Sequence, residues 1–172
     1  MKLNFGSLKS KQGLSFFILG FFVFSLLMYR VLLAPGATLL TTDDNIGAMA
    51  MRKATLPFGF LGAWWDSLLV GVASYYALNW TNLLLWFFPA RFFTNWIHAI
   101  DLLASSMFLA MFLRLRGRSW AASALAALVA FWLGNNFTLN YAGHIGKFGV
   151  MMFAAAALFL IEKAALQRSI AW

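Results

Sequence analysis

The sequence predicts an all-α polytopic membrane protein, with about four transmembrane helices and interfacial helices in its first outer loop. Three observations predict it. Of 172 residues, 63% are hydrophobic and only 10% are charged, where a soluble domain carries about a quarter charged residues. Phe occurs 19 times and Trp 8 times. The apolar residues fall in runs separated by short basic segments. The chain has no cysteine, which excludes disulfides, thiol catalysis and Cys-ligated metals. Its net charge of +8 forms no basic stripe, so topology control and anionic headgroups explain it better than nucleic acid does.

Residues 1–13 read as a polar, basic cytoplasmic tail with Lys2, Lys9 and Lys11. The first span is read over 14–34. It is too long for a signal-peptide core, and Ala34-Pro35-Gly36-Ala37 is a poor cleavage site. Arg30, near its far end, is expected to snorkel to the interface.

Residues 35–91 read as a long outer loop. It holds Trp64, Trp65, Tyr75, Tyr76 and Trp80 and is broken by Pro57, Gly59 and Pro89. Aromatic, amphipathic, proline-broken segments suit helices lying in the interface plane. A span over 68–88 is the alternative, weakened by Asn79, Thr81 and Asn82.

The second span is read over 92–113 and ends at Arg114, Arg116 and Arg118. The third and fourth apolar runs, 120–134 and 148–161, are shorter than the roughly 20 residues a crossing needs. If both cross, helix continues through the polar island NNFTLNYAGHIGK, giving spans over 120–137 and 144–163. Polar groups at membrane depth must then line a watery vestibule. The basic residues at the amino terminus, in the Arg114–Arg118 turn and at Lys163 and Arg168 orient the chain with its amino terminus in the cytoplasm. That reading puts Asp43, Asp44 and the GHIGK segment on one outer face of the plasma (inner) membrane.

Asp43 and Asp44 are two of only five acidic residues. Adjacent carboxylates can hold a divalent metal such as Mg or Mn, or supply a general base. The plainer reading is a helix start, with Thr41 to Asp44 capping 45–51. Both readings can hold together. His144 and Lys147 share a helix face and stand where a helix amino terminus offers positive potential and free N–H groups. With Gly143 before them and Gly146 between them allowing a ligand close approach, they favour a phosphate. The segment is no nucleotide P-loop, because Phe148 stands where Ser or Thr is needed. The plainer reading is an interfacial lysine with packing glycines. His98 and Asp101, three apart inside the second span, are either a satisfied pair joining helices or a functional intramembrane pair. Asp66 reads as interfacial loop.

The pieces TTDDNIGAMA, TNLLLWFFPARFF leading into HAIDLLASSMFLAMFLRLRG, and YAGHIGKFGVMMFAAAALFLIEKAA occur in an order that resembles the amino-terminal part of bacterial membrane proteins of the YfhO type. Those are similar to the GT-C superfamily of polytopic glycosyltransferases. The resemblance implies sugar transfer from a polyprenyl-phosphate donor on the outer face. It implies a catalytic aspartate, Asp43 or Asp44, that activates the acceptor hydroxyl or binds a metal, and donor phosphate held by His144 and Lys147, helped by Arg52 or Lys53. It further implies that residues 1–172 are the amino-terminal part of a larger protein, with membrane lipids, other protein partners or further carboxyl-terminal segments beside it. A small non-enzymatic membrane subunit packing against larger partners is a second reading, from its Ala- and Gly-rich faces. A transporter component is a third, from His98, Asp101 and the short spans.

Overall fold

The computed structural model describes residues 8–61, 64–65, 72–73 and 79–167. Lys2, Asp66, Tyr75, Tyr76 and Arg168 lie outside the described residues, and so do the expectations for them. Seven α-helices occur among those described: α1 (Leu8–Met28), α2 (Ile46–Thr55), α3 (Trp80–Phe87), α4 (Ala90–Leu115), α5 (Trp120–Phe131), α6 (Gly134–Ala142) and α7 (Ile145–Gln167). Short 3-10 turns cover Arg30–Leu33 and Phe58–Phe60. Two short strands, β1 (Trp64–Trp65) and β2 (Val72–Ala73), pair antiparallel.

Two of these helices, α4 and α7, are long and apolar enough to cross a membrane. A third crossing follows if α5 and α6, bent by 43° at a two-residue break, count as one. The apolar stretch of α1, Gln12–Met28, is shorter, about 25 Å at 1.5 Å per residue. The run read as a span to residue 34 is α-helical only to Met28, then tightens into the 3-10 turn that carries exposed Arg30.

The polar island is helical in two pieces, the body of α6 and the start of α7, separated by a turn at Gly143 and His144, so helix does not run through it unbroken. Asn136 Nδ2 donates to Phe131 O at 2.8 Å, satisfying a carbonyl at the end of α5 across the Trp132-Leu133 break. Gly143 ends α6 in the left-handed region, at φ 82°, which glycine adopts without steric cost. Its amide bonds to Leu139 O and Asn140 O.

The α4–α7 pair is the spine. Gly149, Met152, Ala155 and Ala156 of α7 are buried, and small residues of this kind let helices approach closely. The facing part of the core carries α4's Ala99, Leu102 and Ala110 with Phe148 of α7. Aromatic rings hold α1 to α5. Phe17 meets Trp120 at 5.6 Å between centroids, and Phe24 meets Trp132, at the end of α5, edge-on at 5.1 Å. Trp132 Nε1 donates to Ser106 Oγ at 2.9 Å, pinning the break between α5 and α6 to α4. Much of the aromatic content therefore works as interhelical packing.

These contacts define two ends. At one, Trp120 lies against Gly13, and Arg116 pairs with Glu162 at 3.6 Å. At the other, Tyr29 OH accepts a hydrogen bond from Asn140 Nδ2 at 2.8 Å. This second end gathers the end of α1, the α6–α7 turn and the amino terminus of α4.

Candidate functional site

The site begins with an extended strap, residues 37–44, laid across the second end. Asn95, buried on α4, clamps it: the side-chain oxygen accepts from Leu39 N at 2.9 Å and Nδ2 donates to Ala37 O at 3.0 Å. Arg91 adds two donations to Ala37 O from the same helix. The strap then docks on the α6–α7 turn. Thr42 N donates to Tyr141 O at 3.2 Å and Asp43 N to Ala142 O at 3.1 Å. Thr42 Oγ1 donates to Ala142 O at 2.8 Å. These bonds satisfy the last carbonyls of α6, which no intrahelical donor reaches.

That docking brings the acidic pair to the GHIGK segment. Asp43 Oδ2 lies 3.4 Å from His144 Nδ1, with Asp43 61% exposed. Asp44 Oδ1 lies 3.2 Å from Arg52 Nη2, and both side chains are at most a quarter exposed. Asn45 accepts from Ala48 N to cap α2, which aims Arg52, two turns on, back at Asp44. The cap is thus Asn45 itself, one residue after the acidic pair.

Asp44 and Arg52 form one wall of a polar hollow of about 210 Å³. Its other walls are Asn79, Thr81 and Asn82 from the start of α3, and Ile145 and Gly146 from the start of α7. Asn79 caps α3 by accepting from Asn82 N. The first turn of α7 brings the positive end of its dipole to the hollow, while its Ile145 and Lys147 amides are bonded to Gly143 O and His144 O. An arginine, amide side chains and a helix amino terminus suit an oxyanion such as phosphate.

Lys147 is exposed on the first turn of α7, beside this hollow in sequence. Lys53 is committed elsewhere, which corrects its expected role in holding phosphate. Its ammonium donates to Leu85 O and Trp86 O at 2.7 Å each, and so caps the carboxyl end of α3.

His98 and Asp101 are both fully buried, but they do not bond to each other. Asp101 Oδ1 accepts from Trp80 Nε1 at 3.2 Å. Asp101 Oδ2 and both imidazole nitrogens of His98 have no hydrogen-bond partner among the described residues. The His98 ring meets the Phe148 ring edge-on at 4.7 Å. The expected pair is therefore two separate contacts, one to α3 and one to α7.

The acidic pair does not fit a divalent metal well. Each carboxylate already faces its own cationic or protonatable partner, Asp44 on Arg52 and Asp43 on His144. A metal ion would have to displace both. Among the described residues, no three His, Asp or Glu side chains converge.

Sequence reasoning missed Asn95, Asn140, Asn79 and Thr81. A polar residue in an apolar run signals an internal partner, and Asn95 could have been found on that ground. The others sit in loops and islands where polar residues need no explanation. Chain comparisons add no assignment: no protein-family model, curated protein or solved structure matches this sequence.

Proposed function

We propose that the chain is a membrane glycosyltransferase, or its amino-terminal portion, transferring a sugar from a polyprenyl-phosphate donor to an acceptor at the outer face. The observation that carries this reading is the docking of Thr42 and Asp43 on the α6–α7 turn, which sets a carboxylate 3.4 Å from His144. In the same reading four segments cross the plasma (inner) membrane: α1 with its 3-10 extension, α4, α5 with α6, and α7. The amino terminus is cytoplasmic, as the distribution of Lys and Arg favours.

The chemistry follows from the charges. Exposed Asp43 takes the proton of an acceptor hydroxyl as its oxygen attacks the anomeric carbon of the donor sugar. The bond from that carbon to the phosphate oxygen breaks, and its electron pair stays on the lipid phosphate. Negative charge grows on the phosphate, where Arg52, His144, Lys147 and the positive end of the α7 dipole stabilise it. Asp44 holds Arg52 in place. No metal is needed, because the cations belong to the chain.

The test is a sugar-transfer assay in the natural full-length protein reconstituted into liposomes. Asp43→Asn should lower the rate by about 10²–10⁴, the range for loss of a positioned general base. Asp44→Asn should lower it through loss of Arg52 alignment. Undiminished transfer by both variants would remove the acids from the mechanism and with them the reading.

A further inference from the structure

At the opposite end of the spine, the last turns of α4 and α7 part around a cleft of about 270 Å³. Met111, Leu115, Phe159 and Leu166 give it apolar walls, and Arg114 and Lys163 stand among them. Both cations lie against aromatic rings. The Arg114 guanidinium is 5.1 Å from the Trp120 ring centroid, and Lys163 Nζ is 5.8 Å from that of Phe159. The nearby acid, Glu162, pairs with Arg116. Neither Arg114 nor Lys163 has an acid partner among the described residues.

We infer that this cleft binds an anionic phospholipid, with an acyl chain between the apolar walls and the headgroup phosphate against Arg114 and Lys163. The argument is charge complementarity at a fixed depth. The cleft lies at the end of two helices long enough to cross a membrane, where hydrocarbon gives way to headgroups. Water would wet the cations but leave the apolar walls exposed. A zwitterionic lipid would fill the walls but add no net charge. An anionic lipid satisfies both. The carbonyls ending α4 are partly negative and oppose an anion, so the preference needs both cations. The inference does not depend on the proposed glycosyl transfer, because it uses no residue of that site.

The experiment titrates the purified full chain in detergent with short-chain phosphatidylglycerol or phosphatidylcholine and counts bound lipid by native mass spectrometry. The wild type should prefer phosphatidylglycerol by about tenfold or more. Each cation removed should cost about fivefold of that preference, the usual worth of a basic residue at an anionic surface. Arg114→Gln with Lys163→Gln should therefore bind the two lipids equally, while Arg118→Gln, outside the cleft, keeps the preference. Arg114 also packs on Trp120, so Leu166→Trp is the second variant. It fills the cleft with both charges intact, and should lose tight binding of either lipid. Equal binding of the two lipids by the wild type would overturn the inference. So would an unchanged preference in both cleft variants, or a lipid-independent dimer closed over this face.

Discussion

Gly143 and Asp44 touch through backbone: a Cβ added at Gly143 would lie 2.8 Å from Asp44 N and 3.1 Å from Asp43 N. The glycine that ends α6 is thus also the floor on which the acidic strap rests. Two constraints meet there, a left-handed φ and a close approach, and only glycine meets both.

Gly143→Ala should therefore separate the acid from the histidine. Alanine in the left-handed region costs about 1–2 kcal/mol. The added methyl pushes against main chain, which cannot rotate away. The bonds from Thr42 N and Asp43 N to the α6 carbonyls should lengthen or break, and Asp43 should leave His144. Distance measurement between spin labels on the strap and on α7 checks this; an unchanged distance would contradict it. Transfer should fall although no charged group is altered.

Arg52 and Lys53 are neighbours with opposite expected phenotypes. Arg52→Gln removes the cation from the polar hollow and should weaken binding of a phosphate-bearing lipid several-fold with little change in thermal stability. Its pair with Asp44 is partly exposed, and such pairs are worth about 0–1 kcal/mol. Lys53→Met removes two charge-assisted bonds to the end of α3, each worth about 1.5–3 kcal/mol. It should lower the melting temperature while leaving phosphate affinity near wild type. Thermal scans and lipid-phosphate titrations on both variants separate the roles; the reverse pattern would show that Lys53 is the ligand cation.

The contrast shows what the sequence could reveal. The helical runs, their separation by basic turns and the continuation of helix through NNFTLNYA were legible, because hydropathy and the length of a bilayer crossing constrain them strongly. The meeting of Asp43 with His144 was an inference from two loops assigned to one face, and their contact needed the Gly143 turn, which no periodicity reveals. Lys53 was illegible for a different reason. A lysine reads as free charge in sequence, and only the return of α3 beneath α2 gives its ammonium carbonyls to bind. Asp101 misled by spacing: three residues from His98 on one helix, it turns to Trp80 instead.

Asn95 should prove more important to stability than any charge on the strap. It is buried, and its amide fills both a donor and an acceptor need of the extended backbone at Ala37 and Leu39. Asn95→Ala strands Leu39 N, a group that pairs with nothing else in the strap. An unmet buried group costs about 1–3 kcal/mol, and the half-buried Leu39 amide sits at the low end of that range. Hydrogen exchange of the amides from 37 to 44 should accelerate together, since the clamp lies upstream of the docked residues. Asn95→Asp keeps the acceptor and loses the donor, and should fall between. Wild-type exchange in Asn95→Ala would show the strap to be held by the α6–α7 turn alone.

The absence of cysteine makes the orientation directly measurable. Leu40 is 85% exposed on the strap, and Arg118 is exposed in the turn after α4, at the other end of the spine. In the cysteine-free background, Leu40→Cys and Arg118→Cys each provide one thiol. A membrane-impermeant maleimide added to intact cells should label Leu40→Cys and spare Arg118→Cys until the membrane is opened. Arg114, Arg116 and Arg118 lie within one short turn, the context in which basic residues control orientation most strongly. The strap end carries Arg30, Arg52, Lys53, Arg91 and Lys147, but Arg52 faces Asp44, Lys53 caps the end of α3, and Arg91 is spent on the Ala37 carbonyl. Labelling of Arg118→Cys first would invert the protein in the membrane. The acidic strap would then face the cytoplasm, and an acceptor outside the cell would have no access to Asp43.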